Sequence, residues 1–284
     1  MGVRFSDGTV RATTSPPEAI EFRVGDYTVS EELGAEEAGS FYFGEHVLLP
    51  RKAAIKIMHA GPSYNKSTAV AMLREACLVE ALSHPGIPRV FECGVLPDKR
   101  PWTAFELVEG ASVATQIAET PMAVADVVVL VRDAADVLDH IHRRGIVHRA
   151  ITSEAIIATP YRRFPIFVRH WGEACTLDSA GAHADPRDDI RALGVVASKA
   201  LAGTMPPLDV AQLIDQMMAS DVERRPTSAD LRERAGWLAS TLEIMPSSVP
   251  VRKTREGIGD RITNDVEDVG AGFTIRINTR TPTR

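Results

Sequence analysis

The alternation of apolar and polar positions predicts a short strand and three helices. Ala53-Ala54-Ile55-Lys56-Ile57-Met58 is an apolar run with one lysine in it. Side chains alternate along a strand, so Ala54, Lys56 and Met58 share one face. At about 67–83 the period becomes helical, with Ser67 as N-cap and Met72, Glu75, Val79 and Leu82 on one stripe. A carboxylate on an apolar stripe is costly unless a charge meets it, and Lys56 is the candidate. Residues 124–143 form the clearest helix, with Val127, Val131, Ala134, Leu138 and Ile141 on one face and Gly145 as its stop. The stretch 189–202 is apolar on nearly every side, apart from Asp189, Arg191, Ser198 and Lys199. That pattern predicts a helix buried inside a domain.

Around these elements the pattern weakens. Residues 1–26 are polar, contain Ser15-Pro16-Pro17 and are expected to be a flexible leader. Tyr27 to Pro50 alternates as strands and turns do. Residues 245–284 hold Pro246, Pro250, several glycines and many Thr and Arg, the composition of a flexible tail. Within it Gly272-Phe273-Thr274-Ile275-Arg276-Ile277 alternates as a strand would. No internal repeat is present.

Composition narrows the function classes. The chain has 284 residues, 44% apolar and 25% charged, with a net charge of −6. Without a basic excess to neutralise phosphates, a nucleic-acid surface is not expected. Cys77, Cys93 and Cys175 fit neither a disulfide framework nor a paired metal-ligand spacing. No apolar run approaches the roughly 20 residues of a membrane helix, and no secretory pattern opens the chain. Met1-Gly2 with Ser6 matches only the fixed positions of a myristoylation motif. A cytoplasmic protein with no membrane association is expected.

The chemistry-bearing motifs come in one order. Gly34-Ala35-Glu36-Glu37-Ala38-Gly39 precedes Lys56, then Glu75, then Phe105-Glu106-Leu107-Val108. His148-Arg149-Ala150-Ile151-Thr152-Ser153-Glu154-Ala155 follows, then His170-Trp171-Gly172, Asp189, and Asp221-Val222-Glu223-Arg224-Arg225-Pro226-Thr227. Over about residues 27–240 this series resembles the bacterial eukaryotic-type (Hanks-type) serine/threonine protein kinases. The resemblance implies an α+β, two-lobed protein kinase-like fold. Residues 27–110 would be a small β-rich N-lobe with helix αC, plus the hinge, and 111–244 a larger helical C-lobe. It places Lys56 and Glu75 on the ion pair that positions nucleotide phosphates. It also makes Gly34 and Gly39 the outer glycines of the phosphate loop. Phe105 becomes the gatekeeper, and Glu106 and Val108 hinge residues that offer backbone groups to adenine.

The chemical positions of that pattern are replaced. Ala150 stands for the catalytic aspartate, Thr152 for the loop lysine, Ala155 for the metal-binding asparagine and His170 for the metal-binding aspartate. Glu36 replaces the middle glycine of the loop and would repel a triphosphate. His170 has no second ligand spaced to join it in a metal site, so no metal is expected. Trp171 is expected to plug the region below helix αC, with its indole N–H bonded nearby. Nineteen positions separate His170 from Asp189 and 22 separate Gly203 from Arg225. These distances predict a shortened activation segment and a missing helix αG, and leave Arg225 without the family's glutamate partner.

The expected function is that of a pseudokinase acting as a regulatory or scaffolding protein, with another signalling protein as partner and no required cofactor. The alternative is a module that senses nucleotide, holding ATP without magnesium through Lys56, Glu75 and the hinge, or a weak phosphotransferase. Asp178, Asp185 and Asp188 are the nearby carboxylates that a substitute chemistry would need.

Overall fold

A computed structural model of the chain describes residues 21–242, except 37, 61–65, 160–161 and 181–183. The expected leader up to residue 20, the myristoylation motif, the tail and the Gly272–Ile277 alternation lie outside the described residues. Folded structure begins earlier than the pattern suggests. Strand β1 (Phe22–Val24) pairs with β2 (Tyr27–Ala35) across a tight turn at Gly25, whose φ is +54°. Three residues are too few for alternation to register as a strand.

The small lobe is one antiparallel sheet in the order β1-β2-β3-β4-β6-β5. Its further strands are β3 (Gly39–His46), β4 (Lys52–Met58), β5 (Val90–Val95) and β6 (Pro101–Glu106). Helix α1 (Lys66–Glu80) packs against β5 and β6. It starts one residue before Ser67, which therefore lies in the first turn and not at the cap. The outer face of the sheet carries its own core of Val24, Tyr27, Val29, Ala53, Ile55, Ile57, Trp102 and Ala104.

Gly39 shows how closely these strands approach. A Cβ there would stand 2.4 Å from the Ile57 carbonyl oxygen and 3.1 Å from the Met58 Cα, both backbone atoms that cannot turn aside. Gly39→Ala is therefore expected to cost about 1–3 kcal/mol through overpacking, read as a lower melting temperature. Unchanged melting would mean that β3 and β4 can separate freely at that point.

The large lobe is helical. Strand β7 (Ala111–Ser112), helix α2 (Val113–Glu119) and helix α3 (Val124–His142) lead to β8 (Ile146–Val147). Every residue expected on the apolar face of α3 is buried, and Gly145 follows the helix at φ +68°. Strands β9 (Ile156–Ala158), β10 (Ile166–Val168) and β11 (Cys175–Thr176) make two small sheets with β7 and β8. Then come α4 (Leu177–Ala180), α5 (Pro186–Ala200), α6 (Leu208–Met217) and α7 (Ser228–Thr241).

Helix α5 starts at Pro186 and not at Asp189, because the Asp185 side chain caps it by accepting from the Arg187 N–H. It buries Asp189, Ile190, Leu193, Gly194, Val196, Ala197 and Ala200, as its apolar pattern requires. The one α-helix among the described residues between Gly203 and Arg225 is α6, followed by a 3-10 turn at Val222–Arg224, as that short spacing predicts. No helix among the described residues is long and apolar enough to cross a membrane.

Candidate functional site

The cleft between the lobes is built from strand register. Phe41 of β3 pairs with Lys56 of β4, and Phe43 with Ala54, so these four side chains share the face opposite the outer core. Lys56 is 2% exposed and reaches Glu75 on α1, Nζ to Oε2 at 2.7 Å. The predicted pair is formed.

A second carboxylate shares the same ammonium. Glu36 turns inward and places Oε2 2.8 Å from Lys56 Nζ. Its backbone N–H donates to the Gly39 carbonyl at 2.8 Å, closing the loop tightly. Burial pulls the Lys56 pKa down, but the two carboxylates outweigh it and hold it above the ordinary value. Burial pushes Glu75 up by more than Lys56 lowers it. One cation divided between two carboxylates leaves Glu75 only partly compensated. Glu36 Oε1 is buried without a hydrogen-bond partner among the described residues, 3.7 Å from His170 Nε2. Sequence reasoning placed Glu36 near phosphates but missed that it would take Lys56 for itself. An acidic residue inside a glycine loop facing a buried lysine was the available signal.

The loop 148–155 is anchored from below. Asp189, 1% exposed, accepts from the backbone N–H of His148 at 2.8 Å and of Arg149 at 2.7 Å. It also pairs with His142 Nε2 at 3.0 Å. The fully buried His148 ring is pushed down to about 4 by burial. It accepts from the Ala150 N–H at 3.2 Å and stacks edge-on against Trp171 at 4.5 Å. Trp171 is 3% exposed, donates its indole N–H to the Val168 carbonyl at 3.0 Å, and lies in a turn packed on α1. The expected plug is in place.

The four replaced positions are gathered beside this frame. Thr152 Oγ1 accepts from the Ala155 N–H at 3.2 Å, so it holds the turn of its own loop. The Arg169 N–H donates to the Ala155 carbonyl at 2.9 Å, which brings positions 155 and 170 together. His170 is left-handed, φ +67°, and its pKa is lowered by burial and by Arg169. No set of three described His, Cys, Asp or Glu residues is placed to hold a metal. A magnesium–nucleotide complex does not fit these residues. Hard oxygen donors are missing at positions 155 and 170, and the phosphate-facing lysine is saturated by carboxylates.

The hinge after β6 is arranged differently for each residue. The Glu106 N–H is committed to the Arg89 carbonyl at 2.8 Å. Its carboxylate faces away from the cleft to Arg162 and to Arg89 Nε at 3.3 Å. These arginines outweigh burial and hold the carboxyl below its usual range. By contrast, Leu107, Val108 and Glu109 make no backbone hydrogen bond to any described residue. Gly110 lets the hinge rest on β9, where a Cβ would meet the Ala158 carbonyl at 2.2 Å. Gly34, the last residue but one of β2, has open space beside it, and Gly39 serves strand packing.

Two of the three nearby aspartates are occupied elsewhere, and the third, Asp178, lies exposed in the first turn of α4. Asp185 caps α5, and Asp188 takes Arg225 NH1 at 2.7 Å. Asp188 therefore supplies the carboxylate that the sequence pattern left missing for Arg225. Arg225 also donates through Nε to the Ala219 carbonyl at 2.8 Å, tying the end of α6 to the start of α5.

Comparison with known proteins agrees with this frame. Residues 27–185 match the protein kinase domain family. Serine/threonine-protein kinase Pkn1 of Myxococcus xanthus is 29% identical over 211 residues, 66% of this chain and 30% of that protein. Serine/threonine-protein kinase pkn2 of the same organism is 26% identical over 281 residues, 80% of this chain and 34% of that protein. The chain thus spans about a third of the length of these relatives. The crystal structure of the Mycobacterium tuberculosis PknI kinase domain superposes with a TM-score of 0.61. That match covers 77% of this chain and 97% of the solved one at 24% identity, a likeness of fold. With more than half its length matched, the chain belongs to the protein kinase domain family, in its bacterial Hanks-type serine/threonine branch.

Proposed function

We propose that this kinase-like domain is catalytically inactive and acts by binding, as a regulatory or scaffolding partner of another signalling protein in the cytoplasm. One observation carries the reading. The frame of the catalytic loop is complete, from Asp189 through His148 to Trp171, while positions 150 and 155 within it are methyl groups. A general base is typically worth roughly 10²–10⁴ in rate. Metal ions add several kcal/mol of transition-state stabilisation. Both contributions need side-chain oxygens that Ala150 and Ala155 lack. Asp185 and Asp188 are committed to a helix cap and to Arg225, and Asp178 lies exposed in the first turn of α4. The short stretch from His170 to Asp189 and the single described α-helix between Gly203 and Arg225 also fit the loss of a docking surface for peptide substrates.

The purified chain, incubated with ATP and magnesium or manganese, is expected to show no added phosphate by intact mass, on itself or on generic protein acceptors. Stoichiometric self-phosphorylation that disappears in Lys56→Arg, which keeps a charge between the two carboxylates, overturns the proposal.

A further inference from the structure

Two segments meet on the side to which the Glu106 carboxylate points, away from the cleft. Ser83-His84-Pro85 follows α1 in the small lobe, and Arg162-Arg163-Phe164 lies in the turn between β9 and β10. Between them is an open hollow of about 350 Å³, floored by the buried side chains of Leu82, Ile87 and Phe167. Its walls are preformed. Thr159 fixes the turn, donating its N–H to the Pro165 carbonyl at 2.7 Å and its hydroxyl to the Phe164 carbonyl at 3.1 Å. The Phe164 ring lies across Gly86, where a Cβ would stand 2.7 Å from it, and meets the His84 ring edge-on at 5.0 Å.

The rim carries charge of one sign in excess. Arg89, Arg162 and Arg163 line it against a single carboxylate, Glu106. Glu106 pairs with Arg162 through Oε1 and with Arg89 Nε at 3.3 Å. The Arg162 guanidinium also rests 4.6 Å over the Phe167 ring. Glu106 therefore orients two arginines without neutralising both. Arg163 is exposed and forms no ion pair or side-chain hydrogen bond with any described residue. Burial holds the His84 ring below its ordinary pKa, so it adds no charge at neutral pH. A local positive excess above an apolar floor stands out on a chain whose net charge is −6.

We propose that this hollow docks an acidic peptide segment of the partner protein, with an aliphatic or aromatic side chain on the floor and flanking carboxylates on the arginines. A guanidinium takes a carboxylate through two parallel hydrogen bonds, and an apolar hollow with few polar groups fixes one side chain. A bare phosphate or a lipid headgroup would satisfy the arginines and leave the floor empty. A peptide fills both. The proposal rests on the reading that this domain acts by binding, and it names the chemistry of what is bound.

The test is selection of random short peptides displayed on phage against the whole chain, followed by fluorescence anisotropy with the recovered peptides. These should place Asp or Glu beside Leu, Ile or Phe. Arg163→Glu should weaken them by about 10-fold or more, whereas Arg163→Lys should keep most of the affinity. Ser83→Trp puts a ring into the hollow while leaving every charge in place, and should weaken the same peptides. Both positions are exposed, so melting should not move. Recovery of no acidic–apolar peptides overturns the proposal, as does unchanged affinity in both Arg163→Glu and Ser83→Trp. So does full displacement by millimolar inorganic phosphate at constant ionic strength, which would assign the arginines to a free anion. Binding to phosphatidylserine vesicles that is lost in Arg163→Glu, without peptide binding, would assign them to a membrane and overturn it too. Phosphoryl transfer alongside peptide binding would sink the inactive reading alone. Absent transfer without peptide binding would sink only this one.

Discussion

Lys56→Met is expected to lower stability by about 3–5 kcal/mol with no nucleotide present, because it strands two carboxylates around an apolar side chain. For a domain of this size that corresponds to roughly 6–20 °C in melting temperature. The effect should be unequal across the cluster. Glu75→Gln leaves Lys56 paired with Glu36 and should cost only about 1–2 kcal/mol. Glu36→Gln leaves the deeper pair intact at a quarter-exposed position and should cost under about 1 kcal/mol. Combining Lys56→Met with Glu75→Leu should recover much of the loss, since an apolar pair can replace a buried ion pair. Thermal and urea unfolding of the four variants reads this directly. Equal and small shifts in Lys56→Met and Glu75→Gln would show that the cluster is not structural.

Acid should destabilise the protein between about pH 6.5 and pH 4, and His148 should account for much of the loss. An unfolded histidine titrates near 6.5, whereas His148 in the fold is pushed down to about 4 by complete burial. The folded state therefore favours the neutral ring. Its contribution is fully present above pH 6.5 and is lost as pH falls through the window to about 4. At roughly 1.4 kcal/mol per unit, the loss is on the order of 3 kcal/mol. His84, His140 and His170, all shifted downward as well, act in the same direction. Denaturant unfolding at pH 7.5, 5.5 and 4.5 should show a shallower pH slope in His148→Phe, which keeps a ring against Trp171. An identical slope in that variant would mean that the histidine is hydrated in the folded state.

What the sequence disclosed, and what it withheld, follows from the kind of signal involved. Helix α3 was legible because five apolar residues recur at helical spacing, and β4 because one lysine interrupts an apolar run. The Lys56–Glu75 pair followed from a physical cost, a carboxylate on an apolar stripe with one buried cation nearby to meet it. Strand β1 was hidden because three residues carry no period. The start of α5 was misplaced because its first turn is polar and is set by the Asp185 cap, not by apolar spacing. Pairings across long separations were the least legible. Asp188 meets Arg225 across 37 residues, and Glu36 meets Lys56 through a turn whose inward direction no periodicity encodes. The loss of oxygen ligands at Ala150 and Ala155 was readable because motif and residue type alone decide it.

The kinase frame of this chain is expected to support no phosphoryl transfer. The most direct measurement is a single-turnover reaction, with protein in excess over γ-labelled ATP and with magnesium or manganese, followed over hours. The label is expected to leave ATP no faster than it does without protein. Label appearing on the protein or as free phosphate, in proportion to protein concentration and lost in Lys56→Arg, would contradict it.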